Sequence, residues 1–308
     1  MLSLFKRFGR RVFQNRTSSS CKPLGTIIKM TRYIIILFVL ICAFSCTDKQ
    51  TDKEQFVEIN GKKQFYLAKG TGDPAIVFIT GLGPTMDDFQ EIQLKVSNHA
   101  KTICYDRAGI GKSEPFNNER NLENISLELK ELIDKIGIDK PFIIVGHSRG
   151  GLIARYFVSK YPENACGLIL IDPAIPELMS LKRALRADTE KVEFDNYYNS
   201  FCTDTQYTET IRNEFKNTFT TDSSAVSGKG FPLNIPITII GSSKISEDKY
   251  SKNETEIKVE LLKSYLKINP QITLILTDKS GHYIYDTEPE LIINEIVTIL
   301  DKIKVDKK

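Results

Sequence analysis

A chain of 308 residues with 41% hydrophobic content has room for one large domain carrying an insertion, or for two smaller ones. Its 42 basic residues slightly outnumber its 39 acidic ones, but eight of the basic residues fall within positions 1–32, where there is no acid, leaving 34 against 39 in the remainder. The body is therefore mildly acidic, and a nucleic-acid partner is not expected.

Ahead of the body, the basic stretch runs into Tyr33 to Phe44, YIIILFVLICAF, and then Ser45-Cys46. A basic segment, an apolar core and small residues at the junction predict a secretory signal over 1–45. The apolar run is shorter than the roughly 20 residues that span a bilayer comfortably. Ala43-Phe44-Ser45-Cys46 resembles the lipobox of bacterial lipoproteins, with Ala43 where leucine is usual. The resemblance implies lipidation at Cys46, a polar tether over 46–54, and a place at the cell envelope, membrane-anchored or secreted. Met30 starts a signal of ordinary length by itself, so translation from Met30 is an alternative to Met1. Cleavage before Cys46 would remove Cys21 and Cys42, and beyond Cys46 the remaining Cys104, Cys166 and Cys202 have neither disulfide-framework nor metal-ligand spacing.

Along the body, Gln55 to Ala68 alternates apolar and polar residues around Gly61 and predicts an antiparallel hairpin. Ala75 to Thr80, Thr102 to Tyr105, Phe142 to Val145, Gly167 to Ile171, Ile235 to Gly241 and Ile272 to Leu276 are short apolar runs of buried-strand type. Helical spacing falls between them: Asp87 to Val96, Asn121 to Ile136, Arg149 to Lys160, Glu254 to Leu266 and a closing helix over Pro289 to Ile303. Thr287-Glu288-Pro289-Glu290 reads as a capping box for the last helix. This alternation predicts a mostly parallel sheet flanked by helices, an α/β architecture. It is interrupted over 174–231, whose polar helical segments contain no buried strand. The expectation is a core over 55–173 and 232–308 with a helical cap or lid between them.

The chain reads Gly146-His147-Ser148-Arg149-Gly150 after the strand ending at Val145. This G-x-S-x-G pattern resembles the nucleophile elbow of the α/β-hydrolase family, where a serine projects from a sharp strand-to-helix turn. Asp106 to Ser113, DRAGIGKS, is similar to a turn motif of the same family. Its glycines do not have the four-residue separation of a phosphate-binding loop.

The resemblance implies a Ser-His-acid triad with Ser148 as nucleophile. Of three histidines, His147 adjoins the serine with its side chain directed away, and His99 reads as a linker residue. His282, in Ser280-Gly281-His282 after the last strand, stands where the family places its base. The acid is less direct, because Gly241-Ser242-Ser243-Lys244 has no carboxylate at the usual strand end. Asp172, which closes the preceding strand, is the preferred acid, and Glu247 or Asp248 are the alternatives. The oxyanion donors implied are the backbone amides of Leu82, in Thr80-Gly81-Leu82-Gly83, and Arg149. No cofactor, metal or protein partner is expected. The implied function is cleavage of an ester-like bond in a small-molecule substrate. Alternatives are a carbon-carbon bond hydrolase or peptidase on the same triad, or a non-catalytic binding protein of the cell envelope. Dehalogenase chemistry is disfavoured because it resembles this fold with aspartate where Ser148 stands.

Overall fold

The computed structural model describes residues 55–306 except 140, 185, 187, 227–230, 233 and 246–250. The segments expected to be a signal (1–45) and a tether (46–54), Cys46 among them, lie outside the described residues, as do Glu247 and Asp248. All described residues belong to one unit of the chain, 52–308.

In chain order the elements are β1 (Gln55–Ile59), β2 (Lys62–Lys69), β3 (Ile76–Ile79), α1 (Gln90–Val96), β4 (Thr102–Tyr105), α2 (Leu122–Lys135), β5 (Phe142–His147), α3 (Arg149–Lys160) and β6 (Ala165–Ile171). There follow α4 (Pro176–Leu181), α5 (Asp188–Thr203), α6 (Glu209–Phe219), α7 (Thr221–Val226), β7 (Ile237–Ser242), α8 (Ser251–Ile268), β8 (Ile272–Thr277), α9 (Ile284–Thr287) and α10 (Pro289–Asp306).

The eight strands form one sheet in the order β1-β2-β4-β3-β5-β6-β7-β8. β1 and β2 pair antiparallel through a turn at Asn60-Gly61, where both residues have positive φ and match the twist of a two-residue hairpin. β2 is antiparallel to β4, and every later pairing is parallel. β3 and β5 are buried at every position, which is why they read as continuous apolar runs instead of alternating ones. On one face Ile125, Leu129 and Ile133 of α2 pack with Leu152 and Phe157 of α3. On the other, Phe89, Ile92 and Val96 meet Ile292, Ile296 and Ile299 of α10.

Two local expectations are corrected. The helix predicted from Asp87 starts as a 3-10 turn, Met86–Phe89, because the Thr85 hydroxyl accepts from the Asp87 amide and tightens the entry; the α-helix begins at Gln90. The capping box at Thr287 does not form. Thr287 ends α9 and its hydroxyl donates to Ser280, while Glu288 accepts from Thr277 and Ser280 and Glu290 pairs with Lys95. Tertiary partners claim each of the side chains that a local cap would use.

Between β6 and β7 the described residues hold the four helices α4 to α7 and no strand. Their scattered aromatic residues converge, with Phe201 stacked on Phe215 at 3.9 Å and Phe215 tilted against Phe219 at 5.0 Å. Cys104, Cys166 and Cys202 are not joined in disulfides. Among the described residues, no helix is long and apolar enough to cross a membrane.

Candidate active site

The turn from β5 into α3 is so tight that its neighbours determine its sequence. A Cβ on Gly146 would lie 2.4 Å from the Gly150 carbonyl oxygen, and one on Gly150 would lie 2.1 Å from that of Ile79. Both obstacles are backbone and cannot swing aside. Ser148 occupies the apex at φ 52°, ψ −119°, a conformation costing about 1–3 kcal/mol that persists only because its surroundings enforce it. Its amide donates to Ile171 O at 3.0 Å, and its carbonyl accepts from the amides of Gly151, Leu152 and Ala174.

Asp172 follows β6 directly and also has positive φ, 37°. Its amide donates to Ile240 O, which ties the end of β6 to β7. Its Oδ1 accepts from the Ser242 amide at 2.8 Å and from Lys258 Nζ at 3.0 Å, and its Oδ2 lies 2.7 Å from His282 Nδ1. On the opposite edge of that ring, Nε2 stands 2.9 Å from Ser148 Oγ. An ionised carboxylate can only accept, so Nδ1 carries the proton and the Nε2 lone pair faces the hydroxyl. Ser148, His282 and Asp172 are thus one hydrogen-bonded line.

Asp172 is buried, and burial by itself would raise its pKa. The His282 hydrogen bond, the Lys258 charge and the Ser242 amide outweigh that, holding the carboxyl below its ordinary value. His147 points away from this line. Its Nε2 donates to the His282 carbonyl at 2.9 Å, its ring packs 4.7 Å from that of His282, and its buried Nδ1 has no partner among the described residues. Burial first, and then the neighbouring His282, push its pKa down to about 3, so it stays neutral. The third histidine, His99, is exposed, and its carbonyl accepts from Lys304.

Ser148 and His282 open into a cavity of about 480 Å³. Its wall is apolar where α4 and α6 cover it, at Leu178, Met179, Phe215 and Phe219, and charged at Lys244 and at the ion pair Lys182–Glu254. Leu82 and Arg149 also line it, and among the described residues neither of their backbone amides has an acceptor. The Arg149 side chain does not enter the cavity chemistry: it is buried, with Nη1 paired to Asp222 and Nε close to Glu214. No group of His, Cys, Asp or Glu among the described residues is arranged to hold a metal ion.

The Asp106–Ser113 turn is internally braced. Asp106 accepts from the amides of Met86 and Lys112, and a Cβ on Gly111 would strike its carboxylate at 2.2 Å. Sequence reasoning missed two reaches beyond such local bracing. Arg107 donates to the carbonyls of Thr80 and Gly81 as well as to Glu214, and Lys258 touches Asp172. Arg107 and Glu214 stand 107 positions apart in the sequence, and Lys258 and Asp172 86.

Residues 74–193 match the family described as alpha/beta hydrolase fold, a stretch that includes Ser148 and Asp172 and ends before His282. The chain is 27% identical over 161 residues to the uncharacterized protein YbdG of Bacillus subtilis (strain 168), covering 49% of this chain and 50% of that protein. It is 23% identical over 228 residues to the uncharacterized protein YqjL of the same organism, covering 73% of this chain and 82% of that protein. The chain therefore spans about half the length of the first relative and most of the second. Among solved structures, the epoxide hydrolase VrEH1 from Vigna radiata is similar with a TM-score of 0.61 at 15% identity, over 83% of this chain and 99% of that one. At that identity the likeness speaks to fold alone. The chain has the alpha/beta hydrolase fold, a mostly parallel sheet flanked by helices, and its residues 74–193 match the family of that description.

Proposed function

We propose that this alpha/beta hydrolase is a serine hydrolase that cleaves an ester-like bond of a small-molecule substrate through an acyl-enzyme. The observation that carries this reading is the unbroken line Asp172 Oδ2 to His282 Nδ1 at 2.7 Å and His282 Nε2 to Ser148 Oγ at 2.9 Å, at the wall of a partly apolar cavity. In this reading Ser148 attacks the carbonyl carbon while His282 Nε2 takes the hydroxyl proton. Asp172 holds the ring and stabilises the imidazolium, and His282 then returns the proton to the leaving alcohol. Water repeats the sequence on the acyl-enzyme and releases the acid. The amides of Leu82 and Arg149 receive the oxyanion, an interaction worth about 3 kcal/mol per donor in comparable sites.

The epoxide hydrolase activity named for the structural neighbour does not suit the same three groups. A serine oxygen that opened an epoxide would form an alkyl ether with no carbonyl carbon for water to attack, and the enzyme would remain alkylated. An acyl substrate leaves an ester on Ser148, which the same base can resolve. The non-catalytic reading drew on the missing carboxylate after β7, and the hydrogen bond from His282 to Asp172 weighs against it. At the cell envelope, a lipid on Cys46 and the nine-residue polar tether would hold the enzyme to the membrane surface; the lipobox-like sequence supports this part of the reading.

A fluorophosphonate probe tests the central claim. Native protein is expected to be labelled covalently and Ser148→Ala to lose the label. A folded native protein that stays unlabelled from about pH 6 to pH 9, the range in which a histidine base is competent, would falsify the proposal.

A further inference from the structure

Behind the triad lies a second concentration of charge that none of the steps above uses. Arg107, Arg149, Glu214 and Asp222 are each at most 1% exposed. Arg107 donates from Nε to Glu214 Oε1 at 3.1 Å and from Nη2 to Oε2 at 2.9 Å. The outer edge of the same guanidinium donates to Thr80 O at 2.8 Å and Gly81 O at 2.7 Å. Glu214 Oε2 also lies 3.3 Å from Arg149 Nε. One carboxylate on α6 thereby joins the side chain that grips the loop after β3 to the residue that follows Ser148.

The grip has a geometric consequence. A trans peptide is planar, and its C=O and N–H point in opposite directions. Gly81 O and the Leu82 N–H belong to one peptide, so a guanidinium fixed on Gly81 O turns the Leu82 N–H to the opposite side. Leu82 lines the cavity beside Ser148, and its amide has no acceptor among the described residues. Arg107 in turn is held by Glu214, because a planar fork meets a carboxylate in one bidentate orientation.

We propose that Glu214 is a positioning residue for the oxyanion hole, aiming the Leu82 amide through Arg107 and steadying the Arg149 amide through its side chain. The inference rests on the serine-hydrolase reading. It makes α6, outside the sheet, part of the apparatus that stabilises the tetrahedral intermediate. Glu214 never meets the substrate, so its effect belongs to the transition state and not to ground-state binding.

The test compares the native enzyme with Glu214→Gln and Arg107→Lys on p-nitrophenyl acyl esters, with active sites titrated by the fluorophosphonate. A boronic acid that forms a tetrahedral adduct on Ser148 is the second probe. Both variants are expected to lose about 10- to 100-fold in kcat per titrated site, with KM changed less than about 2-fold. Boronate affinity should fall by the same factor as kcat. A merely structural role would lower the number of titratable sites and leave kcat per site and boronate affinity unchanged, which overturns the proposal. Should Glu214→Gln not fold, Arg107→Lys decides alone: it keeps the charge but loses the fork, and native kcat per site in it overturns the proposal equally. Native protein that neither labels nor turns over an ester removes the hydrolase reading itself, an outcome distinct from a labelled native enzyme with unaffected variants.

Discussion

Three donors meet on the Asp172 carboxylate, and they differ in what each can be asked to do. The Ser242 amide and His282 are fixed by the sheet and by the loop after β8, whereas Lys258 reaches in from α8 with its side chain 17% exposed. An acid whose folded pKa is depressed contributes stability that is complete above its unfolded value, near 3.9, and that is lost as pH falls through the folded value. Asp172 is such a group, with burial opposing the shift and His282 and Lys258 driving it. Replacing Lys258 by Met removes one driver without emptying the core. In urea unfolding, Lys258→Met is expected to cost about 1–2 kcal/mol at pH 7, less than a fully buried pair because water screens the ammonium in part. The deficit should narrow as pH falls below the unfolded value and through the lowered folded value of Asp172, where the carboxyl takes up its proton. A deficit that persists unchanged in acid would show that Lys258 acts through packing and not through the carboxylate.

The elbow shows how far an element can be set by its contacts. Gly150 lies in the first turn of α3, where alanine would normally favour the helix by about 1 kcal/mol. Here an added methyl would meet the carbonyl oxygens of Ile79 and Thr80 at 2.1 and 2.5 Å. Gly150→Ala is therefore expected to be destabilised by about 3 kcal/mol or more, against its helix propensity, as read by thermal melting. A melting temperature equal to that of the native protein would mean that β3 and α3 can separate, and the close-packed elbow would be the wrong account. The same contacts explain which features were legible in the sequence. Ser148 could be found because backbone approach demands glycine on both sides of it. The buried strands could be found because parallel strands covered on both faces are apolar throughout. His282 and Asp172 were located by strand ends, which a parallel sheet collects along one edge. Glu214, Arg107 and Lys258 left no such trace. Glu214 lies in a segment that reads as polar surface, Arg107 inside a glycine-rich turn and Lys258 on the helix between β7 and β8, and each meets a partner 86 or 107 positions away that only the folded chain brings near. The failed capping box at Thr287 has the same cause, since a local pattern was outbid by Ser280 and Lys95.

At the scale of the whole molecule, His147 is one junction at which stability is expected to depend on acid. His147 ends β5, supports the His282 loop through its bond to the carbonyl, and meets the Tyr285 ring edge-on at 4.8 Å. Burial, aided by His282, pushes its pKa down to about 3, while an unfolded histidine titrates near 6.5. Between those values the unfolded chain binds a proton that the folded chain does not, so stability falls as pH falls, by at most about 1.4 kcal/mol per unit. Asp88, Asp106 and Asp222 act in the opposite sense: burial raises each of them, so each favours the fold at low pH and loses that contribution as pH rises through its folded value. Their contribution is lost between about 3.9 and their raised folded values and is common to the native protein and a His147 variant, whereas the His147 contribution begins to fall near 6.5, so the difference between the two proteins isolates it. Urea unfolding at pH 7, 6 and 5 should show native stability dropping steadily. His147→Phe should begin lower at pH 7, having lost the bond to His282 O, and then descend less steeply, so that the two curves converge in acid. Parallel curves would assign the loss to another group and would mean that protonated His147 can be accommodated within the fold. Convergence would instead make His147 a joint between the elbow and the His282 loop that holds only while it is neutral, so that stability and the geometry of the site depend on the same unprotonated ring.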